Sequence, residues 1–120
     1  MSDDGGELAA MTKRLLAFRD ARDWKQFHNA KDQMLSLALE AAEVLELAQW
    51  RSGEALDKHL ADHREALGDE LADVLGWVLL IAHDQGIDLR DAFARKLRAN
   101  EAKYPPDQAR GRADKYTAYE

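Results

Sequence analysis

Glu40 and Glu43, then Glu70 and Asp73, form two carboxylate pairs with the same three-residue spacing. At about 100° per helical residue, the members of each pair stand about 60° apart on adjacent turns, where both can reach one ion. Their surroundings are unusual for acids. Leu37, Val44 and Leu47 lie within about 60° of Glu40, and Leu67, Val74, Trp77, Leu80 and Ile81 share the face of Glu70 and Asp73. Both pairs therefore project from apolar stripes that face a helical core. Two carboxylates about 6 Å apart at an effective dielectric near 20 repel by roughly 3 kcal/mol, before any desolvation cost. Four of them converging must be protonated, paired with cations or bound to metal. Their hard oxygens suit Mg²⁺, with Mn²⁺ able to substitute, and Mg²⁺ is typically held by a few carboxylates plus substrate phosphates. A single Glu-x-x-Glu is commonly a solvated helix face; two pairs on two otherwise apolar faces favour a metal site.

Other chemistries find less support. The residues three before His28, His59, His63 and His83 are Lys25, Leu56, Leu60 and Leu80, so the Glu-x-x-His of four-helix di-iron proteins is missing. No His-Glu-x-x-His, Gly-rich phosphate loop or Ser or Cys nucleophile signature occurs. Lys96, Asn100 and Lys103 recur at i, i+4, i+7 with Arg95 and Arg98 alongside, the densest cationic patch of a chain with net charge −6. That patch can contact polyphosphate oxygens or can simply complement the helix dipole. Trp50 and Trp77 follow the two acid pairs along the chain. Beside metal-bound phosphates, aromatic walls of this kind suit a nucleobase, although one tryptophan alone more simply packs a core. Arg110, Arg112 and Lys115 either join the site or are solvated.

The elements that must position these residues are helices. Ala, Leu, Glu, Lys, Arg and Asp dominate everything before Pro105 and Pro106, and no stretch alternates with a period of two. The pattern predicts a first helix over 7–21 and a connecting turn over 22–28. A second helix, N-capped by Asn29, runs to about Trp50, where Ser52-Gly53 breaks it. Residues 54–60 read either as a short helix or as a helical extension of the next element. A third long helix spans about 63–85 and ends at Gly86; a fourth, capped by Asp88, runs over 89–103 and stops before the prolines. The expected fold is all-α, a bundle of three to four main helices in a single domain over residues 1–120. Residues 1–6 and the tail 106–120 are expected to be flexible, the tail ordering against a partner or ligand.

The bulk properties exclude several classes. At 46% apolar and 33% charged residues in 120, the chain suits one soluble core. The net negative charge argues against nucleic acid or anionic lipid as partners. No apolar run approaches the ~20 residues of a membrane span, and the acidic start carries no secretory signal. Without cysteine, disulfides and thiolate metal sites are out, which favours a cytoplasmic location.

In their order, these motifs resemble a family. Glu40-Ala-Ala-Glu43, a 26-residue gap and Glu70-Leu-Ala-Asp73 are similar to the Glu-x-x-Glu…Glu-x-x-Asp signature of the MazG-like, all-α nucleoside triphosphate pyrophosphohydrolases. Arg22-Asp-Trp-Lys-Gln-Phe-His28, Leu45-Glu-Leu-Ala-Gln-Trp50, Asp69-Glu-Leu-Ala-Asp-Val-Leu75 and Lys115-Tyr-Thr117 resemble the dCTP pyrophosphatase branch, so that the likeness runs from about Phe18 to Thr117. The resemblance implies a homodimer or homotetramer with sites near subunit interfaces. It implies Glu40, Glu43, Glu70 and Asp73 as Mg²⁺ ligands, Lys96, Asn100 and Lys103 as phosphate contacts, and Trp24, His28 and Trp50 as base-pocket residues. Trp77 stands where that branch has a tyrosine, which removes a hydroxyl. The implied reaction converts a (d)NTP, dCTP or a modified dCTP among the candidates, to the monophosphate and pyrophosphate in nucleotide-pool cleansing. In it Glu43 or Glu40 orients or deprotonates the attacking water. The alternative is a non-enzymatic oligomerisation or interaction module whose acidic faces dock a basic partner.

Overall fold

The computed structural model describes residues 6–119, and every regular element among them is helical. The expected flexible start therefore lies outside the described residues, apart from Gly6, which caps the first helix. Helix α1 spans Glu7–Ala21, α2 Ala30–Glu46, α3 Gly53–Asp62, α4 Arg64–Asp84, α5 Leu89–Lys103 and the short α6 Pro106–Ala109. No described helix is long and apolar enough to cross a membrane.

The boundaries follow local chemistry. Asn29 Oδ1 accepts the Asp32 N–H at 2.9 Å, satisfying one of the first orphan donors of α2. Asp88 does the same for the Arg90 and Asp91 N–H groups of α5. Helix α4 closes at Gly86, whose φ of +69° is easily reached only without a Cβ. One expectation needs correction. Helix α2 ends at Glu46 rather than near Trp50: the Leu47 N–H turns back to the Val44 carbonyl and residues 47–50 form a turn. Of the two readings open for residues 54–60, the structure has the short helix: His63 leaves the helical region (φ −120°, ψ 38°) and parts α3 from α4.

The described chain divides into two compact units, one through Gly86 and one from Ile87. In the first, α4 is the central element, with α2 and α1 packed on it and α3 touching it more lightly. Helices α2 and α4 run antiparallel: Gln33, early in α2, donates to Asp84 at the end of α4, while Glu40 and Glu43 meet Glu70 near its start. The fully buried apolar core is small, Leu79, Leu80 and Ala82 on α4. Leu35, Leu39, Leu45, Leu71 and Leu75 are all exposed. In the second unit, Tyr104 lies edge-on to Tyr116 and Tyr119, both with centroids at 5.8 Å, so the tail folds back beside the end of α5. Arg112 stacks over Tyr119 at 4.7 Å and donates to Asp114 at 3.1 Å.

Candidate active site

The antiparallel pairing of α2 and α4 brings Glu40, Glu43 and Glu70 together, each offering a carboxylate oxygen within 4.8 Å of the others. Asp73, one turn further along α4, falls outside that group. Its charge still reaches both Glu40 and Glu70, raising their proton affinity. Three of the four expected acids thus converge and the fourth flanks them.

The electrostatics of the cluster are unsettled by protein alone. Glu70 is pushed up to about 7, first by hydrogen bonding with Glu43, then by desolvation and the charges of Glu43, Glu40 and Asp73. Glu40 is raised as well, by desolvation first and then by Glu43 and Asp73. Among the described residues none of the four acids forms an ion pair. Glu40 Oε2 and Glu70 Oε2 are buried without any hydrogen-bond partner. A buried carboxylate oxygen with no donor is costly, and the defect is repaired by a proton or a cation. An all-oxygen donor set with two orphaned oxygens fits a hard divalent ion such as Mg²⁺ or Mn²⁺.

Beside the cluster, Asp73 lines a cavity of about 240 Å³ together with Trp24, His28 and Trp77. That size suits one aromatic ring system rather than a whole nucleotide, since pockets for larger ligands usually exceed about 300 Å³. Trp24 is set by the turn after α1. There Asp23 takes a left-handed φ of +54°, its Oδ2 accepts from Gln26 Nε2 at 2.9 Å, and Phe18 meets the Trp24 ring edge-on at 5.7 Å. Trp77 meets His28 edge-on at 5.2 Å. Trp50 lines no part of this cavity; it stands in the turn beyond α2 and is 83% exposed. Lys96, Asn100 and Lys103 lie along one stripe of α5, where Lys103 also sits 5.2 Å from the Tyr116 ring.

Sequence reasoning missed a buried polar clamp at the same cavity. Arg19 and Gln33 are 2% and 1% exposed. Arg19 donates two hydrogen bonds to Asp84, at 2.8 and 3.1 Å, and Gln33 Nε2 donates to Asp84 Oδ2 at 2.8 Å. These donors hold the Asp84 carboxyl down at about 2. His28 is lowered by burial and then by the neighbouring Arg19 cation. A signal was present: Arg19 continues the Leu8-Leu15 stripe, Gln33 the Leu37-Glu40-Val44 stripe, and Asp84 the Glu70-Asp73-Trp77-Leu80 stripe.

Comparison with known proteins places the chain among relatives. The model of the MazG-like family matches residues 35–118. The chain is 37% identical over 102 residues to dCTP pyrophosphatase 1 of Bos taurus and of Homo sapiens, covering 83% of this chain and 60% of each relative. It therefore spans about 60% of the length of those curated relatives. The crystal structure of a pyrophosphatase from Archaeoglobus fulgidus superposes with a TM-score of 0.80 at 32% identity, over 88% of this chain and 98% of that one.

Proposed function

This chain belongs to the MazG-like family, and we propose that it is a Mg²⁺-dependent nucleoside triphosphate pyrophosphohydrolase, releasing (d)NMP and pyrophosphate. The observation that carries the reading is the Glu40, Glu43 and Glu70 cluster, with two orphaned oxygens, and an aromatic cavity lined by Asp73, the acid that flanks it. In this reading Glu40, Glu43, Glu70 and Asp73 hold the ion, and Trp24, His28 and Trp77 receive the base. Trp50, exposed in this chain, is a base contact only if another surface covers it. The polyphosphate is bound by Lys96, Asn100 and Lys103, supported by their common stripe and by cation–phosphate complementarity. dCTP or a modified dCTP is the proposed substrate, in line with the names of the curated relatives.

When bound, the divalent ion supplies charge neutralisation of the polyphosphate and acidifies water in its field. The protein's own part is positional. Glu43 or Glu40 accepts the proton of a water whose oxygen attacks the α-phosphorus in line, while the bond to the α–β bridging oxygen breaks and pyrophosphate departs. The cavity orients the nucleoside by stacking and by its polar edge.

We also place the chain in a homodimer or homotetramer. Leu39 and Leu45 are each 67% exposed on α2, and apolar surface of that kind is normally covered by a partner. The two compact units are proposed to form one MazG-like domain, since the family match spans both, and nucleotide-pool cleansing places it in the cytoplasm. The test is to incubate the full chain with each NTP and dNTP, deoxycytidine analogues included, plus Mg²⁺, and to separate the products. Monophosphate with pyrophosphate is expected. Diphosphate with orthophosphate rejects the cleavage position, and no turnover favours a non-enzymatic helical module.

A further inference from the structure

The cavity bounded by Trp24, His28 and Trp77 carries one more cation than stacking requires. Arg19 lines it, is 2% exposed, and leaves its Nε buried without a partner. Buried Arg–carboxylate pairs do not by themselves add much stability over an apolar pair, so retaining one beside a ligand cavity calls for a second role. Its geometry suggests that role. The Asp84 carboxylate takes both Nη donors and is itself tied to α2 by Gln33, which fixes the guanidinium plane from two helices. The fixed Nη1 faces His28 Nδ1 at 3.5 Å.

We infer that Arg19 is a positioning residue: it holds His28 as the tautomer with its proton on Nε2, and so makes that ring a fixed hydrogen-bond donor to the nucleobase. A guanidinium has only donors, so the imidazole nitrogen turned toward it must be the lone-pair nitrogen. The one remaining polar hydrogen of the neutral ring is then on Nε2, on the opposite side from Arg19. Nε2 has no partner among the described residues, and the edge-on Trp77 at 5.2 Å limits rotation of the ring. Both burial and the Arg19 charge favour the neutral ring, in which only one nitrogen donates. Lys25 adds to that effect and Asp84 opposes it. A donor fixed at that position favours a base that presents an unprotonated ring nitrogen to it, such as cytosine, over one that presents N–H there, such as thymine or uracil. A polar site left unpaired by the wrong edge discriminates strongly.

This inference rests on reading the cavity as a base pocket, but its first test does not require turnover. A long-range ¹H–¹⁵N spectrum of the imidazoles in the full chain near neutral pH is expected to show His28 with its proton on Nε2. A proton on Nδ1, or an even mixture, overturns the inference. In Arg19→Leu the His28 signal should move toward a tautomer mixture. The KM for dCTP should rise about tenfold with kcat within about twofold, and the preference for dCTP over dUTP should fall about tenfold. Arg19→Lys, which keeps a donor, should restore part of that preference. An unchanged tautomer or preference in Arg19→Leu also overturns it. Should Arg19→Leu fail to fold, Asp84→Asn, which frees the guanidinium while keeping it present, is read in the same two ways. If no nucleotide is hydrolysed at all, the proposed function fails, and the wild-type spectrum alone decides this inference.

Discussion

Replacing Asp84 by Asn removes the charge that holds α1 and α2 to the end of α4. The carboxyl lies at about 2 against an ordinary 3.8. At 1.36 kcal/mol per pH unit that difference is about 2 kcal/mol of folding stability at pH 7. The side chains are nearly out of water, at 3% and 10% exposure for Arg19 and Asp84, so solvent screening is weak. The variant also leaves Arg19 without its counter-ion, so the total loss is expected at about 2–4 kcal/mol. For a 120-residue chain, that is roughly 8–16 °C in Tm. The sign with pH is set by the depressed carboxyl. Its contribution is full above the unfolded value near 4, about half remains at pH 3, and little remains at pH 2. Wild type and variant should be unfolded by heat and by urea at fixed protein concentration from pH 7 to pH 2. Their stabilities are expected to converge toward the acid end. A loss under 0.5 kcal/mol at pH 7, or a gap that stays constant with pH, refutes the reasoning.

Three further outcomes are expected. Glu43→Gln and Asp73→Asn each abolish hydrolysis while far-UV circular dichroism stays unchanged, and an active double variant removes the metal-ligand assignment. Because Glu70 sits near 7 in the metal-free chain, it holds a proton at pH 6 that Mg²⁺ must displace. Affinity should therefore fall about tenfold between pH 8 and pH 6, with proton release seen by calorimetry in buffers of different ionisation enthalpy; Glu70→Gln should remove that dependence. Leu39→Glu should shift sedimentation toward the monomer, whereas an unchanged distribution shows that the exposed α2 face is not the subunit contact.

Much of the framework was readable because it depends on local rules. Helices α1 and α5 fall where periodicity and the Asp88 cap put them, and Asn29 caps α2 as its side chain predicts. The end of α2 was misplaced because Leu47 to Trp50 continue an apolar helical pattern, and nothing local marks the turn before Ser52. The acid cluster was legible as two pairs on apolar stripes. Which three oxygens converge was not, because that depends on the antiparallel register of α2 against α4. Arg19, Gln33 and Asp84 escaped notice for the same reason. Each continues an apolar stripe, but the stripe alone does not name the partner 51 or 65 positions away that it meets. Trp50 shows the converse: α2 stops at Glu46, so the helix that carries Glu40 and Glu43 does not reach it, and it stands exposed in the turn beyond.

One ion shared between α2 and α4 underlies the proposed chemistry. Crystals of the full chain grown with Mn²⁺, measured at the manganese absorption edge, report its position directly. The expected result is an anomalous peak about 2.1–2.3 Å from carboxylate oxygens of both helices, Glu40 or Glu43 on one side and Glu70 on the other. A manganese bound elsewhere, with these three side chains ligating nothing, contradicts the account.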